Sequence, residues 1–196
     1  MVLFVVLLIS YIVGSIPFAS VVARFLNTQN PLAHGSKNPG TTNMVRIAGK
    51  TAGILTFLGD SLKGFIMIEL LTFFSFLYHD NAEMTQAISC ISAIFVVLGH
   101  IYSVFLKFRG GKGVATTIGV IFALNFMLGL LSTCTWVIVF ALFRISGLAA
   151  IVSAIALPCY AYYLYHDNMI FGVSLILAVM VLFRHKSNII GIFKKV

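Results

Sequence analysis

Charge is excluded from most of this chain, and the places that do hold it decide what the chain can fold into. Apolar runs occupy residues near 2–26, 52–78, 85–106, 113–127, 129–143, 147–165 and 168–184. A helix of about 20 apolar residues matches the roughly 30 Å hydrocarbon layer of a bilayer. The strand-type alternation of a membrane β-barrel is absent, so the runs are read as helices. With 60% hydrophobic and 9% charged residues, too little polar surface remains for a soluble domain. The expectation is one all-α integral membrane domain over residues 1–196 with seven transmembrane helices.

The breaks between the runs sort by sign. Thirteen Lys and Arg face five Asp and Glu, a net charge of +8. In a soluble protein that balance suits nucleic acid, but this chain has no soluble surface to carry it, so no nucleic-acid partner is expected. Arg24, Lys37, Arg46 and Lys50 flank or fill the first break, and Lys107, Arg109 and Lys112 fill the third. Arg144 marks the fifth, and Arg184, Lys186, Lys194 and Lys195 lie at the C-terminal end. The second and sixth breaks carry Asp80, Glu83 and Asp167 instead. Positive-inside sorting then puts the N-terminus outside and the C-terminus in the cytosol. The leading run VLFVVLLISYIV lacks a basic flank before it, and Arg24 follows it, as in a retained helix rather than a signal peptide. Residues 113–143 strain this scheme. Two crossings there leave roughly 15 residues each, or about 22 Å, against a core of about 30 Å. Short helices in a thinned bilayer, a deeper helix start or a re-entrant hairpin would each satisfy the charges, whereas one long span would put Arg144 outside.

Four polar stretches fall on the predicted cytosolic side. The first to consider is LGHIYSVFLKFRGGKGVATT, residues 98–117. Gly110, Gly111 and Gly113 free the backbone to converge its N–H groups, and a helix start follows at once, which together make an anion nest. It is not a Walker A loop, because Val114 stands where Ser or Thr would follow. GSKNPGTTNMVR, residues 35–46, is a turn-rich loop in which Thr41 or Thr42 is expected to cap a short helix, with Arg46 about one turn in. Hydroxyls, free N–H groups and a guanidinium suit a phosphate. Ser146 begins a helix, where it is expected to serve as N-cap. At RHKSNI, residues 184–189, His185 and Asn188 share a helix face.

Other residues bound the chemistry. Asp60 and Lys63 lie inside an apolar run at i,i+3 spacing and are expected to pair in a supporting role. Glu69 has no local partner. His100 is expected to pack or position the glycine loop rather than to catalyse, His34 is read as a solvated loop residue, and His79 and His166 as interfacial ones. Cys90, Cys134 and Cys159 are isolated in apolar runs and read as small buried hydrophobes. No metal and no cofactor is expected. No G-x-S-x-G, HExxH or H-x4-D pattern occurs, which argues against a nucleophile elbow, a zinc protease site or the common glycerolipid acyltransferase signature.

Taken together, GSIPFA (14–19), GSKNPGTTN (35–43), DSLKG (60–64), GHIYSVFLKFRGGKGVAT (99–116) and RHKSNI (184–189) resemble the bacterial acyl-phosphate:glycerol-3-phosphate acyltransferases, in the right order over nearly the whole chain. Thr41 stands where that family commonly has Ala, and Ser103 where it commonly has Pro. The resemblance implies a multi-pass enzyme of the bacterial inner membrane with its site facing the cytoplasm. It would transfer a fatty acyl group from a fatty acyl phosphate to the sn-1 hydroxyl of glycerol 3-phosphate, giving lysophosphatidic acid, the first step of phospholipid synthesis. Its partners would be glycerol 3-phosphate, the acyl phosphate, membrane lipid and an enzyme that produces acyl phosphate. By matching position, Ser36, Arg46 and Lys112 would hold phosphate with the N–H groups of Gly111 and Gly113. Ser146 and His185 would add contacts, and Asn38 and Asn188 would orient the glycerol hydroxyls. Lys112, Arg46, His185 and Ser36 would then carry catalysis, by direct attack without an acyl-enzyme. The competing reading is a transporter of a small phosphate-bearing anion, although the polar signals cluster at one face and not at the midplane.

Overall fold

The computed structural model of the chain describes residues 2–78 and 81–193. His79 and Asp80 of the second break, and Lys194 and Lys195 of the tail, lie outside the described residues. Helix follows helix: α1 (Val2–Ser15), α2 (Phe18–Phe25), α3 (Thr41–Leu77), α4 (Ala82–Ile101), a 3-10 turn at Val104–Leu106, α5 (Val114–Leu124), α6 (Phe126–Phe143), α7 (Ser146–Tyr165), α8 (Asn168–Arg184) and α9 (Lys186–Phe193). Among the described residues, three stretches are long and apolar enough to cross a bilayer: Ala82–Leu106, Phe126–Phe143 and Ser146–Tyr165. The α1–α2 pair adds a fourth, bent by 43°. α3 has the length but carries Asp60, Lys63 and Glu69 in its apolar part, while α5 and α8 are shorter, at 11 and 17 residues.

Several boundaries differ from the sequence expectation, each for a local reason. The first apolar run breaks at Ile16–Pro17, because proline lacks an N–H and disfavours helical geometry in the residue before it. α3 starts on Gly40, extended at φ −148°, with no side-chain cap, so neither Thr41 nor Thr42 caps it. Gly49, at φ 86° and ψ 176°, then divides that helix into a short first segment and a long second one. The residue before α7 is Ile145, so Ser146 is the first helical residue and not its cap. Asn125 alone joins α5 to α6, and its side chain accepts the Leu128 N–H at 3.0 Å as a true N-cap. Of the cysteines, Cys90 is buried, whereas Cys134 and Cys159 lie on the outer surface.

Packing explains how so apolar a chain finds one arrangement. Lipid tails are as apolar as Leu, so helices in a bilayer gain little from merely burying hydrophobic area and rely on close backbone approach. α1 and α4 cross through Gly14 and Gly99. A Cβ on Gly14 would lie 2.0 Å from the Val96 carbonyl, and one on Gly99 would lie 2.1 Å from that of Tyr11. α3 and α5 cross in the same way, with Gly119 against the Ser61 carbonyl at 2.0 Å and Gly64 against that of Thr116 at 2.9 Å. α4 is the centre of the bundle and contacts α1, α3, α5 and α8. Val96 and Val97 from it meet Ile68, Val120, Leu128 and Leu177 in one fully buried cluster. Large apolar side chains such as Phe4, Phe74, Leu142 and Phe143 point outward, as a lipid-facing surface requires.

Candidate anion-binding site at one end of the bundle

Where α4 ends, the chain reverses on itself. The Ser103 hydroxyl donates to the Ser15 carbonyl at 2.5 Å, and the Tyr11 hydroxyl donates to the Tyr102 carbonyl at 2.6 Å, which ties this end to α1. Lys107 and Phe108 then adopt left-handed backbone angles, φ 51° and 62°, and turn the loop back. Gly110 N–H donates to the Ile101 carbonyl at 3.1 Å, and Gly111 N–H to the His100 carbonyl at 3.0 Å. Neither position has room for a side chain. A Cβ on Gly110 would lie 2.0 Å from the His100 carbonyl oxygen, and one on Gly111 would lie 2.2 Å from His100 Nε2. From the other side Arg184 Nε donates to the Gly111 carbonyl and Nη2 to the Gly110 carbonyl, each at 3.2 Å.

These contacts correct one expectation. Gly111 does not offer its N–H to a ligand, because the His100 carbonyl already accepts it. The N–H groups of Lys112 and Gly113 make no backbone hydrogen bond among the described residues. Gly113, at φ 88°, opens α5, whose first-turn N–H groups lack intrahelical acceptors. Two loop amides and a helix N-terminus therefore form the anion-binding edge, with positive potential behind them.

Side chains from distant stretches converge there. Lys112 Nζ donates to Asn188 Oδ1. The Asn188 amide in turn lies so close to Gly147 that a Cβ there would be 2.4 Å from its nitrogen. Next along the edge, Thr42 Oγ1 donates to Ser146 Oγ at 3.3 Å, which brings the start of α3 to the start of α7. Arg46 is one turn beyond Thr42, on the same helix face, exposed and unpaired among the described residues. His185 is buried at 3% exposure, with Nδ1 2.8 Å from the Val181 carbonyl. A carbonyl can only accept, so Nδ1 carries the proton and Nε2 holds the free lone pair of the neutral ring.

Ser36 and Asn38 are less directly placed. Their loop is organised by Asn43, which is buried at 2% exposure and which sequence reasoning missed. Its Oδ1 accepts the Ser36 N–H at 2.8 Å, while Nδ2 donates to the carbonyls of Pro31 at 3.0 Å and His34 at 3.1 Å. Ser36 itself is exposed, and neither it nor Asn38 hydrogen-bonds the other three stretches. The roles of Arg184 and Thr42 were also missed, since nothing in a sequence says which carbonyls a guanidinium will grip.

The electrostatics are one-sided. No Asp or Glu occurs within residues 35–46, 107–117, 144–147 or 184–188. Burial pulls the Lys112 ammonium below its ordinary pKa, and the neighbouring Arg184 charge pulls it further. His185 is lowered in the same way, first by burial and then by the charges of Lys112 and Arg184, against its bond to Val181. An anion entering the site relieves both. Among the described residues no cluster of His, Cys, Asp and Glu is arranged to hold a metal.

One layer below sits a buried ionic group. Lys63 Nζ is 2.8 Å from Asp60 Oδ1, 2.8 Å from the Ile16 carbonyl and 3.1 Å from His100 Nδ1. Asp60 Oδ1 is also 3.3 Å from His100 Nδ1. The i,i+3 pairing expected of Asp60 and Lys63 is therefore present. Glu69 is exposed on the outer face of α3.

The fold and this candidate site define a class: an all-helical integral membrane protein that gathers Lys112, Arg184, Asn188 and the start of α5 at one end of its bundle. Comparison with known proteins narrows the class. The glycerol-3-phosphate acyltransferase family profile matches residues 4–195. The chain is 42% identical over 182 residues to a glycerol-3-phosphate acyltransferase of Burkholderia pseudomallei (strain 1710b), covering 92% of this chain and 86% of that one. It is 43% identical over 182 residues to one of Janthinobacterium sp. (strain Marseille), covering 92% and 88%. Its fold is similar to a crystal structure of PlsY (YgiH), an integral membrane glycerol 3-phosphate acyltransferase, in the glycerol 3-phosphate form, with a TM-score of 0.89, 29% identity and coverage of 100% and 94%. The lysophosphatidic acid form of PlsY gives a TM-score of 0.87 at 29% identity, with coverage of 100% and 93%. The chain belongs to the glycerol-3-phosphate acyltransferase family.

Proposed function

We propose that this acyltransferase moves a fatty acyl group from an acyl phosphate to the sn-1 hydroxyl of glycerol 3-phosphate, giving lysophosphatidic acid and inorganic phosphate. The observation that carries the reading is the convergence of Lys112, Asn188, Ser146 and the start of α5 from stretches that hold no Asp or Glu. The two ligand-named forms of the PlsY fold support the acceptor and the product. Lys112, Arg46 and the N–H groups of Lys112 and Gly113 hold phosphate oxygens, with Ser36 and Ser146 adding hydroxyl contacts. Asn38 and Asn188 orient the glycerol hydroxyls, and His185 lines the wall. Gly111 contributes shape instead of a donor.

The reaction needs no acyl-enzyme. An acyl phosphate is a mixed anhydride with a good leaving group, so positioning and charge neutralisation can supply most of the acceleration. Supporting this, no serine or cysteine hydrogen-bonds a histidine among the described residues. The sn-1 oxygen bonds to the acyl carbon, the carbon–oxygen bond to phosphate breaks, and the hydroxyl proton passes to a phosphate oxygen of the donor. His185 Nε2 is the rival acceptor. The chain works as one domain of the bacterial inner membrane. It crosses seven times, with its N-terminus outside, its C-terminus in the cytosol and the site facing the cytoplasm, and an enzyme making acyl phosphate supplies its donor. The test is purified protein in detergent with glycerol 3-phosphate and either palmitoyl phosphate or palmitoyl-CoA. Lysophosphatidic acid from the phosphate donor is expected. Product only from the CoA donor would overturn the choice of donor, and none from either would overturn the substrates.

A further inference from the structure

We propose that Lys63, clamped by Asp60 and His100, is a positioning residue for the anion site; this rests on the phosphate-site reading above. Three ionisable side chains are exposed by 7% or less inside the bundle, Asp60 at 1%, Lys63 at 6% and His100 at 7%. Buried ionic groups are costly in a membrane protein, and apolar packing could join α3 to α4 as well. What apolar packing cannot do is reach the two points that this group reaches.

The first point is the Ile16 carbonyl. Ser20 and Val21 both donate to the Pro17 carbonyl, so the Ile16 carbonyl lacks a helical donor and accepts from Lys63. The second is His100. Its Nδ1 is held by Lys63, its Nε2 edge abuts Gly111, and its backbone carbonyl accepts the Gly111 N–H. The ammonium thus meets three polar groups: a carbonyl at the α1–α2 break, the Asp60 carboxylate and the His100 ring. Arg184 grips the loop carbonyls from the other side. The loop that presents the Lys112 and Gly113 amides is therefore held between the Lys63 group beneath and Arg184 beside it. A shift of His100 passes directly to Gly111 and so to those amides. Reaction geometry of this kind tolerates displacements well under an ångström.

The test compares His100→Leu, which removes the Nδ1 contact, with His100→Asn, whose amide restores a polar atom near that position. A third variant, D60N/K63M, removes both buried charges together so that neither is left unpaired. Each is checked for a monodisperse gel-filtration peak before assay. His100→Leu and D60N/K63M are expected to raise KM for glycerol 3-phosphate by about tenfold or more, while His100→Asn stays within about threefold of wild type. A folded His100→Leu with wild-type KM and kcat would overturn the proposal. Hydrogen exchange on the wild-type protein decides it even if those variants do not fold. The amides of Gly110 and Gly111 should exchange as slowly as the last turn of α4, and exchange as fast as the 33–38 loop would overturn the clamp. A wild-type protein that binds no glycerol 3-phosphate would instead sink the function reading and leave the clamp to the exchange experiment.

Discussion

Lys112 and His185 show how burial makes ordinary residues specific. Lys112 is half-buried, hydrogen-bonded to the neutral Asn188 and pressed by the like-signed charge of Arg184. Among the described residues its ammonium has no counter-ion. Lys112→Ala should lower kcat/KM by about a hundredfold or more while the protein still elutes as a folded species, a loss typical of deleting one donor to developing charge. Wild-type turnover in that variant would remove the loop from the mechanism. His185 makes a pH prediction. Burial and two nearby cations hold its folded pKa below the usual 6.5, so the folded protein resists taking the proton that the unfolded chain accepts. Stability is then fully present above 6.5 and is lost as pH falls below it toward the depressed folded value. Melting temperatures recorded from acid to neutral pH should show this slope in wild type and a flatter one in His185→Asn. His185→Ala also decides the proton acceptor, because substantial remaining turnover excludes His185 as an essential base.

At the scale of elements, glycines set the crossings. Gly119 has the Ser61 carbonyl where a side chain would go, so Gly119→Leu must push α5 away from α3, at a cost of about 1–3 kcal/mol. Gly172 in α8 faces open space, with nothing within 4 Å of where a Cβ would stand, so Gly172→Ala should instead stabilise by about 0.5–1 kcal/mol through lost backbone freedom. Thermal melting in one detergent separates the two, and a stabilised Gly119→Leu would refute the close-crossing account. The same contrast shows what a sequence reveals. The helical character of the apolar runs, the Asp60–Lys63 pair and the glycine loop were legible because each depends on spacing within one segment. The kink at Pro17 was legible in principle, since proline states its own geometry. The Arg184 grip, the Thr42–Ser146 contact and the use of the Gly111 N–H were not, because each joins residues far apart in sequence or turns on how the loop folds back. Asn43 was passed over because an asparagine in a turn-rich loop looks solvated, and only the fold shows it buried.

For the whole molecule, the sign of charge matters more than any pair. The four stretches that meet at one end of the bundle carry cations and no Asp or Glu, so their summed field should favour negative solutes. KM for glycerol 3-phosphate should rise several-fold between low salt and about 1 M, where the screening length shrinks to about 3 Å. An unchanged KM would mean that local hydrogen bonds, and not the collective field, govern capture. The candidate site also has an unusual relation to chain order. The Thr42–Ser146, Lys112–Asn188 and Arg184–loop contacts join four separate stretches, so the first and last thirds of the chain meet there. Arg184 grips the loop carbonyls and Asn188 accepts from the Lys112 ammonium, contacts that span 73 to 76 residues of sequence. A chain cut before Arg184 therefore lacks both the grip on the loop carbonyls and the partner of Lys112, and should lose affinity for a phosphate-bearing solute. Two halves separated after Arg144 should regain activity only when they are co-expressed and both inserted, because the contacts that shape the loop cross that cut.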